Sequence, residues 1–298
     1  MLEAKNVTKK YGKKIAVADA TVLADRGRIH GLIGENGAGK TTLLKCMAGI
    51  YRPESGSITY DREAIYDKEE TLQRVAFISD SQEFFSIYSV RGLLKLYQKC
   101  YPDFQMDQFV KLNQKFGVDL KKGIGSLSKG QKMRLSFMLA IARRPAYILM
   151  DEPTDGLDVG SRSYLKDVLI EETEKRELCV ILSSHDLNGL EMLCDEVSFM
   201  KQGTIQRHSD MDDVIESVQK WQGELGQEEL EKIRKQIGLY AVKLMGRLVT
   251  FQTIGNAAET EQMLRQMGVQ SLIRQKISFE EVFLTWNESA ETIKAPRK

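Results

Sequence analysis

Residues 28–42 read RIHGLIGENGAGKTT, and this stretch decides the fold. Its first six residues form a short apolar strand candidate, and a helical pattern follows at 43–48. A glycine-rich loop therefore sits between a strand and a helix, an α/β signature. Gly34-Glu-Asn-Gly-Ala-Gly-Lys40-Thr41 satisfies the spacing GxxxxGK[ST]. Glycines let successive backbone N–H groups converge on phosphate oxygens, and the helix N-terminus adds a favourable dipole field. Lys40 supplies a mobile positive charge for β and γ phosphates, and the Thr41 hydroxyl suits Mg2+. The competing reading is a chance glycine-rich turn, and the strand–loop–helix context counts against it.

A second element lies at 146–152, AYILMDE, a continuous apolar run bounded by charge. That is the pattern of a strand buried on both faces. Asp151 at its end suits a Mg2+ ion held through water, and Glu152 suits orienting and deprotonating an attacking water. Acidic residues often end strands, so this pair gains its weight from the phosphate loop upstream.

Working outward, LEAKNVTKKYG and AVADATVLAD read as edge strands near a hairpin, and 57–60 and 75–79 as further short strands. Residues 89–117 carry apolar positions at three- and four-residue spacing, including Phe109, Leu112 and Phe116, and predict helices broken near Pro102. Ser128 opens another helix that ends near Pro145. A charged helix is expected at 161–175, a central strand at 179–184, a helix at 187–193 and a closing hairpin in VSFMKQGTIQ. Composition shifts near 210. Residues 211–238 read as polar and helical; strands at 239–245, 247–253 and 269–275 and helices at 257–267 and 279–287 complete a small α/β appendage, with a disordered tail ETIKAPRK.

The chain has 298 residues, enough for about two domains. With 43 Lys plus Arg against 42 Asp plus Glu, the formal net charge is +1, which offers no footprint for nucleic acid. No apolar run approaches the roughly 18–20 residues of a membrane helix, and MLEAKNVTKK lacks the apolar block of a signal peptide. The four cysteines form no CxxC pair and read as buried thiols; Cys46 follows the phosphate loop, where oxidation would matter. His30 reads as a packed or edge residue and His208 as a solvated one.

LSKGQ (127–131) lies upstream of ILMDEPT (148–154), and GLD (156–158) and SSHD (183–186) follow. With the phosphate loop, these make five motifs in an order that resembles the nucleotide-binding subunit of ATP-binding-cassette (ABC) transporters. The resemblance covers about residues 1–210, and 211–298, ending in ISFEEVFL, resemble more softly the C-terminal extension of drug, antibiotic or ABC-2-type exporter ATPases. It implies a P-loop NTPase of the ABC type. A β-rich N-terminal subdomain, a helical insert at about 80–140 and an α/β extension that is dimerising or regulatory would complete it.

The resemblance also implies ATP and Mg2+ as cofactors. Tyr11 in KKYG would stack on adenine, and Gly34, Asn36, Gly37, Ala38, Gly39, Lys40, Thr41 and Thr42 would hold the phosphates. Glu152, His185 and Lys40 would be catalytic, and Thr41, Asp80 and Asp151 would hold the metal. Ser128, Gly130 and Gln131 would face the triphosphate of a second ABC subunit, and Asp158 would couple the two sites; locally both segments also suit turns and helix caps. Many family members carry Gln where this chain has Asp80; Asp80 is preferred as its replacement, with Gln82 as the other donor.

Separate transmembrane permease subunits are the implied partner. They would place the chain peripherally at the cytoplasmic face of the membrane, with Phe84, Phe85 and Tyr88 as candidate contacts within the helical segment. The alternatives are an ABC ATPase acting on a macromolecular partner without transport, and a non-hydrolysing regulatory subunit. The single cassette, the short gap between Lys40 and Ser128, and the presence of Lys40, Glu152 and His185 weigh against them.

Overall fold

The computed structural model describes residues 1–66, 68–81, 87–187 and 189–294, with side chains described to 288. Two compact units emerge, one of residues 1–186 and 192–208, the other of 187–191 and 209–298.

The first unit begins with β1 (Leu2–Tyr11) and β2 (Lys14–Ala24), joined by a tight turn that sets Tyr11 opposite Lys14. β3 (Ile29–Ile33) leads into α1 (Lys40–Met47), followed by β4 (Ser55–Tyr60), β5 (Glu63–Ala64), α2 (Glu69–Gln73) and β6 (Val75–Ile78). The helical segment holds α3 (Val90–Cys100), α4 (Met106–Phe116), a 3-10 turn (Ile124–Ser126) and α5 (Lys129–Ala142). β7 (Tyr147–Asp151), α6 (Val159–Arg176), β8 (Cys179–Ser184), β9 (Glu196–Lys201) and β10 (Thr204–Asp210) complete the main sheet.

An antiparallel sheet runs β2-β1-β4-β5. β1 was expected at an edge but lies inside it, because it pairs with β2 on one side and β4 on the other. The larger sheet runs β10-β9-β3-β8-β7-β6, and β9, β3, β8, β7 and β6 are mutually parallel. Every residue of β3, β7 and β8 is buried, the polar His30, Asp151, Ser183 and Ser184 included, as expected of inner parallel strands covered on both faces. α1 supplies the core with Leu43, Leu44, Cys46 and Met47, all fully buried beside Leu2, Val17 and Ile58 of one sheet and Leu149 and Ile181 of the other. Each such leucine contributes about 1.5–3 kcal/mol of burial, which anchors the helix that follows the glycine loop.

In the helical segment, Phe109, Leu112 and Phe116 of α4 are buried, and Phe116 packs edge-on against Phe137 of α5 at 5.9 Å. Residues 189–193 form turns where a helix was expected. Gly189 adopts φ 71, outside the range that continues a right-handed helix. His208 is exposed on β10, as expected, and its ring also stacks on buried His30 at 5.3 Å, with its Nδ1 3.2 Å from Ser198 Oγ. Cys46, Cys179 and Cys194 are buried, and burial pushes their thiols up to about 11, 12 and 12, whereas Cys100 is exposed.

The second unit contains α7 (Met211–Glu216), β11 (Val218–Glu224), α8 (Gln227–Gln236), β12 (Tyr240–Met245), β13 (Leu248–Ile254), α9 (Ala257–Gln266), β14 (Gln270–Gln275) and α10 (Phe279–Lys294). Its antiparallel sheet runs β12-β13-β11-β14, the split βαβ arrangement. The helical reading of 211–238 holds for 211–216 and 227–236 and fails at 218–224, which form an inner strand paired on both sides. Trp221 is fully buried in the cluster that also holds Leu230, Ile233 and its strand partner Phe251, and its Nε1 donates to Thr253 Oγ1 at 2.9 Å. Tertiary pairing overrides the polar composition of VQKWQGE. The expected disordered tail is helical as far as Lys294, and 295–298 lie outside the described residues.

Among the described residues no helix is long and apolar enough to cross a membrane.

Candidate functional site

β3 ends at Ile33, and the chain turns through 34–39 before α1 begins. Two positions require glycine. A Cβ at Gly34 would lie 2.2 Å from the Met200 carbonyl oxygen, and one at Gly39, where φ is 110, would lie 2.4 Å from that of Ala16. The β9–β10 turn braces the loop: the Gly203 N–H donates to the Ala38 carbonyl at 2.8 Å, and the Gly203 carbonyl accepts from the Ala18 N–H at 2.8 Å. Lys40 is 5% exposed, and its Nζ donates to the carbonyls of Gly34 at 2.6 Å and Glu35 at 3.3 Å.

Asp151, at the end of β7, is buried, and its Oδ1 accepts from Thr41 Oγ1 at 3.0 Å and Ser183 Oγ at 2.7 Å. The same Ser183 oxygen accepts the Glu152 N–H at 3.1 Å. Glu152 adopts φ 49, a conformation that costs a side-chain-bearing residue about 1–3 kcal/mol. Its carboxylate stands between two side chains, Oε1 3.4 Å from Lys40 Nζ and Oε2 2.9 Å from His185 Nδ1. Glu152, Asp155 and His185 present side-chain ligand atoms within 4.8 Å of one another.

Of the residues singled out in the sequence, Tyr11, Asn36, Gly37, Ala38, Gly39, Lys40, Thr41, Thr42, Asp80, Asp151, Glu152 and His185 line one open cleft of about 810 Å³. Gly34 contributes its carbonyl to Lys40. Tyr11 is 47% exposed and meets Tyr51 edge-on at 6.0 Å. Ser128, Gly130 and Gln131 do not line the cleft. Ser128 caps α5 in a capping box, its Oγ accepting the Gln131 N–H at 3.2 Å while Gln131 Oε1 accepts the Ser128 N–H at 3.1 Å. Asp158 caps α6, accepting the Ser161 N–H at 2.8 Å, and these bonds hold its carboxyl below the usual range.

Asp80 forms an ion pair with Lys129, which also lies 3.7 Å from Asp155 Oδ2. Gln82, Phe84 and Phe85 lie outside the described residues. The sequence reading missed Lys14, Ile15, Ala16, Asp155, Gln202 and Gly203 of the cleft lining, and Ser183 beneath Asp151. Ser183 carried a signal within SSHD, and the Gln-Gly turn carried one within VSFMKQGTIQ. Residues 14–16 carried none, since only the hairpin's packing brings them near the loop.

The donor set fits a hard divalent cation: Thr41 Oγ1 and Asp151 Oδ1 are oxygen ligands 3.0 Å apart at the mouth of the phosphate loop. A family model described as ABC transporter matches residues 17–155. An uncharacterized ABC transporter ATP-binding protein, MJ1023 of Methanocaldococcus jannaschii, is 31% identical over 214 residues, 72% of this chain and 79% of that protein. The chain belongs to the ABC transporter ATP-binding proteins. A second family member, the ABC transporter ATP-binding protein YtrB of Bacillus subtilis, is 27% identical over 287 residues, 95% of this chain and 97% of that protein, so this likeness extends through the second unit. A solved structure of the ATP binding subunit of an ABC transporter superposes with a TM-score of 0.67 at 27% identity, covering 72% of this ABC subunit and 91% of that chain.

Proposed function

We propose that this ABC subunit hydrolyses ATP in a head-to-tail pair of cassettes and thereby powers a membrane exporter. The observation that carries the reading is the position of Glu152, between Lys40 at 3.4 Å and His185 at 2.9 Å, in a cleft that also holds the phosphate loop. Tyr11 offers a ring face to adenine. The amides of 34–42 and Lys40 receive the phosphates, and Thr41 and Asp151 hold Mg2+, which when bound neutralises charge on the phosphates. Glu152 orients the attacking water and accepts its proton, and His185 positions Glu152 and the γ-phosphate. Ser128, Gly130 and Gln131, at the start of α5, offer a capped helix N-terminus to the triphosphate on the second cassette. Loss of the γ-phosphate then removes a bridge between subunits, and the closed state loosens.

Residues 1–210 act as the cassette and 211–298 as an extension that dimerises or regulates it. Export is supported by the resemblance of that extension to those of exporter ATPases. Separate permease subunits complete the transporter, docking on the helical segment from the cytoplasmic face. Ile87 and Tyr88 there are 85% and 38% exposed, which supports that surface.

The test is kinetic. Glu152→Gln is expected to retain ATP binding while turnover falls about 100-fold or more, the scale of a general base. Lys40→Ala is expected to weaken nucleotide binding itself. Undiminished turnover in Glu152→Gln removes the residue from this role.

A further inference from the structure

The segment LSKGQ sets a lysine between Ser128 and Gly130. Lys129 is the first residue of α5, and its side chain is 49% exposed. Its ammonium does not stand free at the helix start. It is paired with Asp80, which follows β6, and lies 3.7 Å from Asp155, which follows β7. The Asp80 carboxylate holds the Lys129 ammonium above the ordinary lysine range. Both partners line the same chain's nucleotide cleft.

The charge balance of that cleft gives the contact a consequence. Among the described residues its lining carries four carboxylates, Asp80, Asp151, Glu152 and Asp155, against the ammonium groups of Lys14 and Lys40. A triphosphate brings about four further negative charges, and like charges at short range oppose its entry. The Thr41–Asp151 oxygens are placed for a divalent cation, and Glu152 faces Lys40 and His185. The two remaining carboxylates, Asp80 and Asp155, both face Lys129.

We propose that Lys129 is a positioning residue for its own chain's nucleotide site: it neutralises Asp80 and Asp155 at the rim and so lowers the repulsion a triphosphate meets on entering. The proposal rests on the ATP-site reading above. It gives the LSKGQ helix a role within its own chain, besides the role of Ser128 toward a second one. It also gives Asp80 a function that needs no metal bond, as one half of a charge pair with Lys129.

A double-mutant cycle on the full-length chain tests it. The dissociation constant of a fluorescent ATP analogue with Mg2+ is measured for the parent, Lys129→Ala, Lys129→Arg, Asp80→Asn and Lys129→Ala/Asp80→Asn. Measurements are made at low and high salt and at two protein concentrations. Lys129→Ala is expected to weaken binding about three- to tenfold at low salt and less at high salt, the scale of a half-exposed charge pair acting on a multiply charged ligand. Lys129→Arg keeps the parental affinity, and adding Asp80→Asn to Lys129→Ala recovers most of the loss. Parental affinity in Lys129→Ala overturns the proposal, as do strictly additive effects in the cycle. A loss through misfolding would not be recovered by Asp80→Asn, so failed recovery counts against it too. An effect confined to the higher protein concentration would place Lys129 on the second subunit's nucleotide instead. Lys40→Ala is the separating control: a parent chain that binds no analogue sinks the ATP-site reading, whereas binding lost in Lys40→Ala and kept in Lys129→Ala sinks this inference alone.

Discussion

Ser183→Ala probes how the acidic centre of the cleft is held. Ser183 is fully buried on β8, opposite Asp151 of β7. Its hydroxyl donates to Asp151 Oδ1 at 2.7 Å and accepts the Glu152 N–H at 3.1 Å, so one oxygen ties together two neighbouring residues. Removing it costs a hydrogen bond to a charged acceptor, about 1.5–3 kcal/mol, and strands a part-buried N–H, about 1–3 kcal/mol. Because both bonds share one oxygen, a combined loss of about 2–4 kcal/mol is expected. Part of it falls on the left-handed backbone at Glu152, whose N–H bond helps to hold that conformation. Both tryptophans, Trp221 and Trp286, lie in the second unit, so their fluorescence does not report on β7 or β8 directly. Amide hydrogen exchange does, and the β7 and β8 amides should lose protection by that amount in Ser183→Ala. ATP turnover should fall in parallel as the Glu152 carboxylate loses its fixed position. Protection within about 0.5 kcal/mol of the parent, with turnover intact, would refute the reasoning.

Burial holds His30 below the ordinary histidine value of 6.5, against the opposing pull of Glu196. The unfolded chain therefore takes up the proton more readily, so this contribution is complete above about pH 6.5 and is lost as pH falls toward the lowered value. Denaturation at stepped pH should show the loss in the parent and a flatter profile in His30→Gln. Gly34→Ala forces a methyl within 2.2 Å of the Met200 carbonyl. It should destabilise the first unit by about 1–3 kcal/mol or more and weaken nucleotide binding, read by chemical denaturation and titration. An unchanged affinity would mean that the loop relaxes without consequence.

The α/β order of the first unit was legible because its signals are local. Glycines at 34, 37 and 39, a lysine at the start of a helix, and apolar runs at 146–150 and 179–182 each announce their own conformation. Local signals failed where pairing with distant chain decides. VQKWQGE is polar enough to read as helix, yet β13 and β14 flank it, and Trp221 reaches Thr253 across the sheet. His208 is exposed as its polar setting implies, but no neighbour in sequence announces that it also stacks on His30.

The sequence by itself determined that a phosphate loop lies between a strand and a helix, that an acidic pair ends a buried strand, and that LSKGQ caps a helix. These follow from backbone freedom, side-chain type and spacing within a few residues. Only the tertiary structure decided that Ser183 supports Asp151 and Glu152, that the Gln202-Gly203 turn braces the loop, and that Lys129 meets Asp80 and Asp155 at the cleft rim. Those contacts join segments tens of residues apart. They are set by which strands pair and which ends of the sheet converge, and no short window of sequence carries that information.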